Sequence, residues 1–239
     1  MGSDNYPREF TTTRWSLVGA AQSDETSQSA LEELCRAYWY PLYSFIRHRG
    51  YSSTDAQDLT QSFFVAFIES EGFASADRER GRFRTYLLSA LKHFLANEWH
   101  RSRRKKRGGE VTLLEWDALE PEVRYATATI DGEDPELVYD QEWALALIAR
   151  AKEKLRLEMV EKGQEKLYEA LKGSLGGQDT SSDETMEKLG MTQNTFKVAV
   201  HRFRKRYREC LRGEIAQTVL TSGEIDDEMR YLVQVLRKH

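Results

Sequence analysis

The chain has 239 residues, 35 Lys and Arg against 39 Asp and Glu, and a formal net charge of −4 at pH 7, a length that suits one large domain or two small ones. It lacks an apolar run near the ~20 residues of a membrane span and the charged-then-apolar opening of a signal peptide. Two isolated cysteines, Cys35 and Cys210, argue against a disulfide framework or a zinc site and for a reducing cytoplasm.

Almost every hydrophobic pattern has helical period, so the expected fold is all-α. After an N-terminal extension (1–26), residues 27–50 place Leu31, Leu34, Cys35, Tyr38, Leu42, Phe45 and Ile46 on one side of a helix. Pro41 should kink or divide it, because proline lacks the N–H that helix bonding needs. Ser52 followed by Asp55 reads as a capping-box-like start for a helix over 54–71. That helix buries Ala56, Leu59, Phe63, Ala66 and Phe67 and shows Asp55, Asp58, Ser62 and Glu69 on its other face. A polar loop over 73–81 leads to a long helix over 82–106. Its packing face is Phe83, Leu87, Ala90, Leu91, Phe94 and Leu95, and His93, Asn97, His100 and Arg104 share a different face.

Residues 109–135, with Pro121 and Pro135 and no sustained period, form an acidic linker between a first helical domain (27–108) and a second (136–213). Helical spacing returns over 136–163 and 164–175. A short helix over 183–189 ends at Gly190, which can take the left-handed conformation of a tight turn. Thr192 caps the next helix, completing the layout of a helix-turn-helix. An amphipathic tail helix (within 214–239) aligns Ile225, Met229, Leu232 and Leu236, a stripe expected to pack on the second domain.

Charge is distributed unevenly along the chain. Residues 80–107 carry ten Lys and Arg against Glu98, and residues 188–212 carry eight against Glu209. Residues 109–142 between them hold eleven acids and only Arg124. Two dense basic segments, each with aromatic residues inside, point to nucleic acid as the partner. In the second segment Thr192, Gln193, Asn194, Thr195 and Lys197 stand at the N-terminal end of the helix that would enter a major groove, with side chains able to read base edges. His201, Arg202, Arg204, Lys205 and Arg208 would reach backbone phosphates, which position the helix without specifying sequence. The five histidines join no ligand-like cluster, no phosphate-binding loop of GxxxxGK[ST] type occurs, and no nucleophile–base pair is suggested. No enzyme activity, cofactor or metal is expected.

Three segments resemble one family. LGMTQNTFKVAVHRFRKRYREC is similar to the C-terminal DNA-binding domain of bacterial extracytoplasmic-function (ECF) sigma factors. DAQDLTQSFFVAF resembles the acidic helix of the same family's N-terminal signature, and FRTYLLSALKHFLANEWHRSRRKKR resembles the aromatic and basic helix that follows it. The resemblance implies that Asp55, Asp58, Leu59 and Gln61 dock on the β′ clamp helices of core RNA polymerase. For Asp55, capping is an equally good account of the residue. It further implies that 75–84, with Arg84, and the face His93, Asn97, His100, Arg101 and Arg104 recognise and melt the minus-ten promoter element. Melting needs no catalysis, because stacking, a flipped base and cations trap the single strand. Trp99 is the aromatic residue placed to touch DNA.

The helix-turn-helix would read the minus-thirty-five element as duplex. The acidic linker would thread the active-site cleft and RNA exit path of core polymerase, whose β subunit is an implied partner beside the β′ clamp helices, as a mimic of nascent RNA, or act only as a spacer. The chain departs from the family pattern at Ser182, Thr185 and Met186, and its tail exceeds a minimal member. Promoter DNA and core polymerase are the implied partners, an anti-sigma protein or other regulator is a further candidate, and no membrane is involved. The alternative is a stand-alone helix-turn-helix transcriptional regulator, for which the segment 55–67 has no purpose.

Overall fold

A computed structural model of the chain describes residues 25–70, 82–102, 122, 125, 134–176, 183–219 and 223–237. Among them are eight α-helices, one 3-10 turn and no strand, as the helical periodicity requires. The helices are α1 (Glu25–His48), α2 (Ser53–Glu69), α3 (Phe83–Ser102), α4 (Pro135–Glu161), α5 (Glu165–Leu171), α6 (Asp183–Leu189), α7 (Gln193–Ala216) and α8 (Glu224–Arg237), and the turn Lys172–Gly176 follows α5. The chain divides into two units, one of residues 1–144 with 216–239, the other of residues 145–215.

In the first unit α1 packs on α2, and α2 on α3. Pro41 lies inside α1 without dividing it. An interior proline costs about 3 kcal/mol. Here it is flanked by the fully buried Tyr38, Leu42, Tyr43, Phe45 and Ile46, each such side chain contributing about 1.5–3 kcal/mol on burial. Packing on both sides of the proline outweighs its local cost. Ser52 caps α2, its hydroxyl accepting from the Asp55 N–H at 3.1 Å and donating to the Asp55 carboxylate at 2.6 Å. The buried face of α2 is Ala56, Thr60, Phe63, Phe64 and Phe67. Thr60 enters this core because its hydroxyl donates to the Ala56 carbonyl at 2.6 Å, and so buries no unpaired group. Leu59 and Ala66, expected in the core, are half-exposed. Phe63 meets Phe94 edge-on at 5.7 Å, and Tyr38 meets Phe83 edge-on at 5.2 Å.

The tail belongs to this first unit. Of residues 136–213, on which the tail is expected to pack, α8 meets the start, where Tyr231 donates to Asp140, and it pairs as well with Arg82 and Arg84. The buried positions of α8 are Ile225, Glu228, Leu232 and Val235, whereas Met229 and Leu236 are half-buried. A carboxylate thus occupies the middle of the apolar stripe. It does so because two arginines from α3's start meet it there, as described below.

In the second unit Leu147, Ala151, Leu155 and Met159 of α4 share a core with Tyr168, Leu171, Phe196, Phe203, Cys210, Leu211 and Ile215. Gly163 and Gly190 end α4 and α6 with φ of 68° and 63°. At each, the N–H of the following residue reaches back five residues, Gln164 to Met159 and Met191 to Met186, satisfying carbonyls that a helix end leaves open. Only glycine takes that left-handed conformation at little cost.

Candidate polymerase and nucleic-acid interfaces

The acidic face of α2 is exposed. Asp55 and Asp58 are open to solvent, and Leu59 and Gln61 are half-exposed beside them. Asp55 is held by the Ser52 cap, whereas Asp58 makes no hydrogen bond or ion pair among the described residues. Capping therefore accounts for Asp55, and among the described residues Asp58 has no such partner. Leu59, next to Asp58, adds apolar surface to the same patch.

On α3 the buried positions are Phe83, Arg84, Leu87, Leu88, Leu91 and Leu95, and the exposed ones are Thr85, Ser89, His93, Ala96 and Asn97. His93 and Asn97 share one open face, as helical spacing demands. The side chains of Trp99, His100 and Arg101, and all of Arg104, lie outside the described residues, as does the loop 73–81.

Arg84 is not on that open face. Its side chain is buried, with Nη1 donating to Asp140 at 2.5 Å and Nε to Glu228 at 3.4 Å. The guanidinium lies 4.1 Å from the Tyr231 ring centre and 4.9 Å from that of Trp143. The Tyr139 hydroxyl donates to the Arg84 carbonyl at 2.9 Å, and the Tyr231 hydroxyl donates to Asp140. Burial opposes the Arg84 charge, but Asp140 and Glu228 outweigh it and hold the guanidinium more basic than usual. Burial, then the bond to Asp140, pushes the Tyr231 hydroxyl above its ordinary range. Arg82 forms an ion pair with Glu228 as well. In this conformation Arg84, expected at DNA, is an internal counter-ion, because two carboxylates and two aromatic rings surround it.

A second cluster involves the acidic linker. Glu122 accepts a bidentate pair of bonds from Arg47, at 2.7 and 3.1 Å, and one from the Tyr43 hydroxyl at 2.5 Å. Tyr125 lies under the Arg47 guanidinium at 4.4 Å and edge-on to His48 at 5.0 Å. Arg47 first, then Tyr43, hold the Glu122 carboxyl below its ordinary range. At these two residues the linker is docked on α1. The rest of 109–133 lies outside the described residues.

In the second unit the residues singled out from sequence are exposed. Thr192, Gln193, Asn194, Thr195 and Lys197 surround the start of α7, and His201, Arg202, Arg204, Lys205 and Arg208 continue along it. Thr192 caps α7, accepting from the Thr195 N–H at 3.3 Å, and the two hydroxyls meet at 3.0 Å. Arg204 donates to the Ser174 carbonyl at 3.1 Å. Lys197, His201, Arg202, Lys205 and Arg208 make no side-chain hydrogen bond or ion pair among the described residues. Arg206, by contrast, is held by Glu158 at 2.7 Å and Glu209 at 2.8 Å.

Arg47, Tyr43, Glu122, Asp140, Glu228 and Tyr231 were not singled out from the sequence. The one local signal was Glu228, a carboxylate three residues from Ile225 and four from Leu232 on an otherwise apolar stripe. Among the described residues no group of three or more His, Cys, Asp or Glu could hold a metal ion, and no helix is long and apolar enough to cross a membrane.

The arrangement is that of a helical protein with an exposed acidic helix face, an adjoining basic helix and a separate cationic helix. Residues 34–107, covering most of α1 with α2 and α3, match the family Sigma-70 region 2. This segment of the chain is thus similar to Sigma-70 region 2, and the match covers less than a third of the 239 residues. No curated protein and no solved structure matches the chain.

Proposed function

We propose that this protein is a cytoplasmic sigma factor of the ECF type that gives core RNA polymerase its promoter choice. α2 is the docking face for the β′ clamp helices, through Asp58, Leu59 and Gln61 with Asp55 at its edge. α3 and the loop before it hold the melted minus-ten strand, with His93 and Asn97 on the open face followed by Trp99, His100, Arg101 and Arg104. The residues from α6 to α7 act as a helix-turn-helix on the minus-thirty-five duplex, Gln193, Asn194 and Thr195 toward base edges and Lys197, Arg202, Lys205 and Arg208 toward phosphates.

The observation that carries the reading is the exposed Asp58, unpaired among the described residues, inside the segment that matches region 2. A carboxylate exposed to solvent is available to a cationic partner. The match also weighs against a stand-alone helix-turn-helix regulator, which has no use for that segment. The minus-thirty-five role rests on the exposed basic face of α7 and the Thr192 cap. Core polymerase pull-down with the Asp58→Arg variant tests the docking face. Polymerase retention and promoter-dependent transcription should both be lost while the melting temperature is unchanged, and full retention of both would sink the assignment.

A further inference from the structure

The start of α3 is an anion site already filled from within the chain. Arg82 stands immediately before α3, and its carbonyl accepts from the Thr85 and Tyr86 N–H groups of the first turn, so its side chain lies at the positive end of the helix. Arg84 lies two residues on. Into this position α8 brings Glu228, 1% exposed, paired with both arginines. Tyr231, one turn further along α8, covers the same two guanidinium groups at 5.7 and 4.1 Å.

The two arginines are not equivalent. Arg84 is 7% exposed and keeps Asp140 and the Trp143 ring whatever the tail does. The Arg82 side chain is a third exposed, and its partners among the described residues are the tail's Glu228 and Tyr231. Arg82 is thus the cation whose availability the tail controls. A carboxylate at a cationic helix N-terminus occupies the position that a phosphate oxygen would take.

We propose that α8 is an intramolecular competitor for nucleic acid: Glu228 holds Arg82 in the free chain, and a DNA phosphate takes its place when the tail lifts from α3. This rests on the reading of α3 as the minus-ten element's helix. A tail that must be displaced lowers the affinity of the free chain for DNA, so that engagement is favoured where other contacts contribute to the exchange.

The test uses the full chain and a fluorescent single-stranded DNA of mixed sequence. Glu228→Gln should bind about threefold or more tightly than the parent at low salt, and its plot of log affinity against log salt should steepen by about 0.7 for the one arginine released. Adding Arg82→Gln should cancel both changes. If Glu228→Gln lowers the melting temperature and leaves affinity and salt slope unchanged, the tail is a packing element alone and the proposal is overturned. The unmodified protein supplies a measurement independent of how the variants fold. Amide exchange over 225–235 should speed up about tenfold when the DNA is added, and unchanged protection with DNA bound would also overturn it. Failure of the unmodified chain to retain core polymerase would count against the sigma assignment and leave the exchange result standing on its own.

Discussion

The two basic segments look alike in sequence and differ in the folded chain. At the head of α3, Arg82 and Arg84 face carboxylates from Asp140 and Glu228, which lie 56 and 144 residues from Arg84 along the chain. Along α7, Lys197, Arg202, Lys205 and Arg208 face solvent, and the nearby acids Glu158 and Glu209 are engaged by Arg206. Local charge density therefore says little about which cations are open to a ligand. That depends on whether distant acids fold onto them. The comparison also separates roles: Arg84 ties together three elements of the first unit, while Lys197, Arg202, Lys205 and Arg208 make no side-chain hydrogen bond or ion pair among the described residues.

The sharpest way to break this comparison is to remove one cation from each side. Arg84→Ala would leave the buried Glu228 with Arg82 alone and the half-buried Asp140 with Tyr231; breaking a buried pair typically costs about 3–5 kcal/mol, and these remaining partners put the expected loss at the lower end. Urea unfolding should show that loss. A cost below about 1 kcal/mol would mean that Arg84 is as dispensable as a surface cation. The opposite pattern is expected on α7. Replacing Lys197, Arg202 and Lys205 together by Ala should shift stability by no more than about 0.5 kcal/mol per site. It should also flatten the salt dependence of duplex binding by roughly 2 to 3 in log–log slope, at about 0.9 per phosphate contact. Equal weakening on unrelated duplexes would mark these residues as backbone contacts. Loss confined to one sequence would instead make them readers of bases.

What was legible in the sequence follows from the range of the forces involved. The eight helices, the Ser52 cap, the Gly190 turn and the Thr192 cap depend on neighbours within about five residues, so spacing and residue type reveal them. The exposed positions of α7 follow from the same periodicity. Placement of the tail did not, because amphipathicity states that a face is buried and not against what. Thr60 entered the core through a bond to its own helix that hydrophobicity does not register. The family resemblance places Arg84 at DNA, and its partners in the fold come from residues no local pattern connects. The docking of the linker at Glu122 escaped notice for the same reason. Its acidity was read as an average over 109–142, whereas single carboxylates there take particular partners: Glu122 pairs with Arg47, Glu136 with Lys92 and Asp140 with Arg84.

The Glu122 carboxylate gives the smallest effect and a direct probe of whether pairing, as at Arg84, also restrains the linker. Arg47 and Tyr43 stabilise the charged form of Glu122, so its carboxyl titrates lower in the folded chain than in the unfolded one. A depressed carboxylate contributes stability that is fully present above the unfolded value and disappears as pH falls through the folded one. The parent and Glu122→Gln should therefore differ in melting temperature at neutral pH and converge as the solution is acidified below the usual carboxylate range. The Glu122 side chain is 40% exposed, so solvent screens the interaction and the neutral-pH difference should be under about 1 kcal/mol. Tyr43 adds a spectroscopic readout, since burial and then its bond to Glu122 raise the phenol above its ordinary value. In Glu122→Gln the charge-based part of that rise is lost, so the Tyr43 titration should move downward. A parent and variant that melt together at neutral pH, with Tyr43 unmoved, would mean that the linker is not held at this point and that its acids act only as a group.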